Sequence, residues 1–206
     1  IAMSEVIDWP VDLIPSDMGL GLESITRTFE STWTGSVQTA DSPGAKVVMQ
    51  VTFRNLPADK ARRLEALIFS LDGQRGRVRL WDFAARLVGS PQPVHGAPIV
   101  TEALAMRTSL TSRGWTSNTV VLRLGDWVQV GDELKRVVAD VTSDLSGAAL
   151  IRVAPMLRAN HPSGTPLVVD RPCGVFRIKD DKAATFNRVP GVFTDVSLSF
   201  TEAFYP

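Results

Sequence analysis

The sequence predicts a mainly β protein: an N-terminal β-sandwich-like domain with one α-helix, plus an inserted small β-barrel or sandwich domain. Three observations carry this expectation. Apolar residues alternate with period two in several short runs, a single stretch shifts to helical spacing, and turn residues recur about every eight to twelve positions through the middle of the chain.

In order along the chain, 25–39 is rich in Thr, Phe, Trp and Val, with Gly35 placed for a hairpin turn, and Asp41-Ser42-Pro43-Gly44 closes it as a loop. In 46–54, Val47, Met49, Val51 and Phe53 fall on one face and Lys46, Gln50, Thr52 and Arg54 on the other, with Val48 the exception. That is the pattern of a half-buried antiparallel strand. The period becomes helical over 57–71, where Ala61, Leu64, Leu67, Ile68 and Leu71 recur at three- and four-residue spacings. Pro57 suits a first turn, Asp59 complements the positive end of the helix dipole, and Asp72-Gly73 supplies the stop. Strand character returns at 77–81, and alternation there predicts the guanidinium groups of Arg75, Arg77 and Arg79 on one strand face, solvated or at a subunit interface.

Pro, Gly and Ser concentrate in 89–98, which reads as a linker or crossover. A second β unit follows. Val120, Leu122 and Leu124 alternate, Gly125-Asp126 and Gly131-Asp132 bracket 127–130, 134–141 is strand-like, and Asp144-Leu145-Ser146-Gly147 turns into 148–157. The chain closes on Val175, Phe176 and Ile178, a polar turn at 179–182, and a strand with Val196, Leu198 and Phe200 on one face and Asp195, Ser197, Ser199 and Thr201 on the other. Such a strand needs a sheet to join, and the middle unit looks complete without it. The expected division is therefore 1–88 with 173–206 as one domain and 89–172 as the insertion.

The 22 basic and 22 acidic residues give zero net charge with no basic stripe, so nucleic acid is not an expected partner. No apolar run approaches membrane-spanning length, the first ten residues lack a signal-peptide pattern, and synthesis in a cytoplasm is the expectation. The single cysteine, Cys173, excludes an internal disulfide and reads as structural. His95 and His161 stand in Pro/Gly loops with no Cys or His at ligand spacing, and are read as exposed imidazoles. The acidic pairs Asp132-Glu133 and Asp180-Asp181 fall in predicted turns as solvated carboxylates, no Gly-x-Ser-x-Gly elbow exists, and Gly19-Leu20-Gly21 lacks the rest of a nucleotide loop. No catalytic residue, metal site or cofactor is expected. Of the five tryptophans, most are expected in the core and one or two at a surface that meets a partner.

Several segments together resemble the distal tail and related minor tail proteins of siphophages. They are Leu13-Ile14-Pro15-Ser16-Asp17, Thr26-Arg27-Thr28-Phe29, Trp33-Thr34-Gly35-Ser36-Val37-Gln38-Thr39, the strand 45–53, the helix around Ala61-Arg62-Arg63-Leu64, and Gly73-Gln74-Arg75-Gly76-Arg77-Val78. The middle unit adds 125–135, Ser146-Gly147 and Ala154-Pro155-Met156-Leu157-Arg158, and the end adds Cys173-Gly174-Val175-Phe176-Arg177 and 199–204. The resemblance covers nearly the whole chain and carries no catalytic signature. It implies a structural virion protein, a homohexameric ring at the tail tip, with the tail tube protein, the tip hub or baseplate and other minor tail proteins as partners. The candidate interface residues are Arg27, Phe29, Trp33, Gln38, Arg75, Arg77 and Arg79. One alternative is a carbohydrate-binding tail module stacking a sugar on Trp115 or Trp127, and another is a wall hydrolase, for which the sequence offers no base, nucleophile or metal set.

Overall fold

The computed structural model describes residues 5–41, 44–84, 96–181, 185–188 and 194–204, and over these residues the protein is mainly β with a single helix longer than one turn. The two longest alternating runs form the middle of a first sheet. β5 (Lys46–Leu56) buries Val47, Met49, Val51 and Phe53, and β17 (Thr194–Glu202) buries Val196, Leu198 and Phe200 beside them. The strands are antiparallel, with Phe200 opposite Met49 and Val196 opposite Phe53. Successive strand side chains point to opposite faces, so strict alternation puts one whole set into the core. A bulge ends it: Asn55 takes φ 54°, donates its N–H to Asp195 Oδ1 at 2.7 Å, and shifts the phase so that Leu56 faces inward.

The rest of that sheet runs in the order β1 (Val6–Asp8), β6 (Arg77–Trp81), β15 (Cys173–Ile178), β17, β5 and β2 (Asp17–Glu23), with β16 (Asn187–Arg188) pairing β17. Helix α1 (Ala58–Ser70) lays Ala61, Leu64 and Ile68 into the same core. It starts one residue later than expected, because Pro57 has ψ 150° and serves as the cap. Asp72 at φ 49° and Gly73 at φ 66° then turn the chain left-handed and stop it. The single 3-10 turn that follows, Gly73–Arg75, takes Arg75 out of the strand, so the expectation of three arginines on one strand face is corrected to two.

The second sheet has the order β14 (Leu167–Val168), β10 (Trp127–Val130), β11 (Glu133–Val137), β13 (Ala148–Ala154), β8 (Ser109–Trp115) and β7 (Gly96–Glu102). An Ile99–Pro166 bridge brings its two ends together into a nearly closed barrel. The segment read as a linker is corrected in part: 96–98 opens β7, with Pro98 buried on this end strand, whereas 89–95, His95 included, lies outside the described residues. β9 (Val120–Leu122) and β12 (Val141–Thr142) form a separate pair. The expected alternation of Val120, Leu122 and Leu124 fails there. Val121 and Leu122 are buried and Val120 and Leu124 exposed, because a turn at 123–126 begins at once, with Arg123 N–H donating to Asp126 Oδ2 at 2.7 Å.

The chain leaves the first sheet after β6 and rejoins it at β15, and the C-terminal strand lies between β15 and β5. Each sheet has its own apolar core. Two side chains of the middle segment, Trp127 and Leu134, pack into the first core instead of the second. Gly174 makes this possible, since a Cβ there would lie 2.8 Å from Leu134 Cβ.

Candidate functional site

The β2–β5 ladder stops at Glu23 and Lys46, and a separate two-stranded arm follows, β3 (Thr26–Glu30) paired with β4 (Val37–Asp41). Five paired residues at about 3.3 Å each make it roughly 17 Å long before the turn. Gly35, at φ 65°, donates its N–H to Ser31 O at 2.9 Å, Ser31 N–H donates to Ser36 O at 2.9 Å, and the Thr34 and Ser36 hydroxyls meet at 2.9 Å. Every residue of β3 is exposed.

Antiparallel register sorts the arm's side chains. Phe29 stands opposite Gln38 and Arg27 opposite Ala40, so Arg27, Phe29 and Gln38 share one face. Val37, opposite Glu30, lies on the other. Trp33 occupies the tip and is 95% exposed, while Phe29 and Val37 are more than half exposed and Leu22 and Ile25 add apolar surface at the base. The other four tryptophans are buried. Trp115 and Trp127 therefore offer no face for a sugar to stack on.

Arg75, Arg77 and Arg79 sit elsewhere and are engaged within the chain. Arg75 is exposed, 3.6 Å from Asp72, and Arg77 gives one Nη to the carbonyls of Gln74, Arg75 and Gly76 at 2.7 to 3.0 Å. Arg79 lies between Asp8 at 3.2 Å and Asp132 at 3.5 Å, tying the first sheet to the turn before β11. Of the seven interface candidates the structure brings Arg27, Phe29, Trp33 and Gln38 together on the arm, and separates the three arginines from them.

Sequence reasoning missed a buried ionic cluster where the two sheets meet. Lys135 is fully buried, with Nζ 2.9 Å from Glu133 Oε2 and 3.9 Å from Glu202 Oε1. The contact with Glu133 is a short ion pair withdrawn from water. Glu133 accepts the backbone N–H groups of Arg158 and Ala159 at 2.9 Å and lies 3.1 Å from His161 Nε2. Burial alone would raise its pKa, but the His161 hydrogen bond, the Lys135 charge and these N–H groups together hold it at about 2. Glu202 accepts Val47 N–H at 3.1 Å, and burial pushes its carboxyl above the ordinary value despite Lys135. Arg158 stacks 4.0 Å above the Phe204 ring and donates to Ala45 O, and Lys46 lies 5.2 Å from the same ring.

Two expectations are corrected here. Glu133 is not a solvated turn carboxylate but the first residue of β11, and His161 is not an exposed imidazole, its side chain being 10% exposed. Thr201 and Glu202, the first of which alternation placed outward, are both buried because the barrel covers the end of β17. The signal that could have found the cluster is the Glu133-Leu134-Lys135 spacing, which puts opposite charges on one side of a strand. Burial raises the Cys173 thiol and keeps it protonated. Among the described residues no group of three or more His, Cys, Asp or Glu side chains could hold a metal ion, and no helix is long and apolar enough to cross a membrane.

No protein-family model matches the chain, and no curated protein matches it.

Proposed function

We propose that the chain is a structural virion protein of a long-tailed bacteriophage, a ring-forming distal tail adaptor joining the tail tube to the tail-tip hub or baseplate. The observation that carries this reading is the β3–β4 arm. A two-stranded ribbon is marginal on its own in water, and this one presents Trp33, Phe29 and Val37 to solvent from both faces and its tip. Surface of that kind is stabilised when a partner covers it, and a second copy of the chain supplies one without any further gene product. An arm of one subunit seated on a different surface of the next makes a heterologous contact, and a closing rotation turns such contacts into a ring. Each stable contact then removes roughly 1,200–2,000 Å² from water. The sequence resemblance to distal tail proteins gives the ring its place, at the tube's distal end, and its number, six.

The test is single-particle imaging of intact tails. Six copies in one ring at the distal end support the proposal, whereas a single copy, a trimeric spike or a capsid location refutes it. The carbohydrate-binding reading loses its assigned residues, since Trp115 and Trp127 are buried, and it would have to run through Trp33.

A further inference from the structure

At the junction of the two sheets one ammonium serves two buried carboxylates. Lys135 lies within contact of Glu133 and a full ångström farther from Glu202, and both carboxylates are withdrawn from water. Glu133 is otherwise well supplied, with two backbone N–H groups and His161. Glu202 has Val47 N–H and the more distant lysine. Arg158, another cation of the cluster, is stacked on Phe204 and gives its Nη2 to Ala45 O, and Lys46 Nζ lies 5.2 Å from the same ring. Burial and, more weakly, the like charge of Glu133 oppose ionisation of Glu202, whereas Lys135, the Val47 N–H and the Arg158 charge favour it, and burial prevails.

We propose that this junction is a proton-linked latch, closed when Glu202 is the neutral acid and loosened when Glu202 ionises. The reasoning is thermodynamic. Parting the sheets hydrates Glu202, and a hydrated carboxylate ionises freely, so the open junction binds fewer protons than the closed one. Raising the pH then favours opening until Glu202 is ionised in the closed form as well. The direction of the shift at Glu202, upward through burial, agrees with this sign. The groups that move apart are Glu202, Val47 and Phe204 on one side and Lys135, Glu133, Arg158 and His161 on the other. The inference concerns how firmly the barrel is held to the first sheet and stands whether or not the chain forms a ring.

Native-state hydrogen exchange of the whole chain between pH 5 and 8, corrected for intrinsic rates, tests it. The Val47 amide, which donates to Glu202, reports on the junction, and the Leu64 amide within α1 reports on global unfolding. The opening constant of Val47 should exceed that of Leu64, so that the junction parts without global unfolding, and should itself climb by up to about tenfold per pH unit over part of this range, while staying flat in Glu202→Gln, which retains an acceptor for Val47. A flat wild-type opening constant at Val47 overturns the proposal, and so does an unchanged climb in Glu202→Gln. Should that variant fail to fold, Lys135→Met replaces it: loss of the shared cation should extend the climb to higher pH, and an unaltered profile overturns the latch.

Discussion

Glu133 carries the clearest single-residue consequence. Its carboxylate is held at about 2 against an ordinary 4.5, so it stabilises the folded chain fully above pH 4.5, and that contribution is lost as the pH falls from 4.5 toward 2. Glu133→Gln should therefore cost roughly 3 kcal/mol at neutral pH, and the gap from wild type should shrink steadily below pH 4.5 in urea titrations. A pH-independent gap would mean that packing, not charge, is at stake. Glu202 has the opposite sign: its raised pKa makes the ionised form a burden on folding above the ordinary carboxylate range. At Gly174, Ala would press on Leu134 and on Phe176, 3.0 Å away, and overpacking of this kind costs about 1–3 kcal/mol, readable as a lower urea midpoint with an unchanged slope. The roles of Glu202 and Gly174 were not legible in the sequence, and that of Glu133 only as a charge spaced two residues from Lys135, because what a side chain is buried against depends on what another segment lays over it.

At the scale of elements, the arm separates folding from assembly. Its strands contribute nothing to either apolar core, so Phe29→Ala and Trp33→Ala should move stability by no more than about 0.5 kcal/mol. If the arm seats on a neighbouring subunit, the same substitutions should weaken ring formation about tenfold or more, as loss of an aromatic anchor does. Mass photometry or imaging of tails assembled with each variant checks this; full assembly by Trp33→Ala would remove the arm from the interface. Period two made β5 and β17 readable, and the Ile25 to Thr39 composition made the hairpin readable. Short elements were not: three residues of β9 cannot establish a phase before the next turn resets it, and the 3-10 turn that removes Arg75 from β6 follows from Asp72 and Gly73 turning left-handed.

For the whole molecule, the crossing of Trp127 and Leu134 into the first core ties the barrel to the first sheet. Trp127 also donates its Nε1–H to Asp82 Oδ2 at 3.0 Å, and Asp132 accepts at once from Arg79 and, through its carbonyl, from Val175 N–H. Calorimetry should accordingly show one cooperative unfolding transition with equal calorimetric and van't Hoff enthalpies, and two resolved transitions would show that these ties are weak. Alternation, the lone helical stretch and the spacing of turns determined by themselves that this is a mainly β protein with one helix, since those patterns depend only on which way successive side chains point. Which face of β11 meets which core, which carboxylate shares Lys135, and which exposed aromatics are left on an arm were decided by tertiary structure alone. Each depends on contacts between residues dozens of positions apart, and local periodicity holds no record of them.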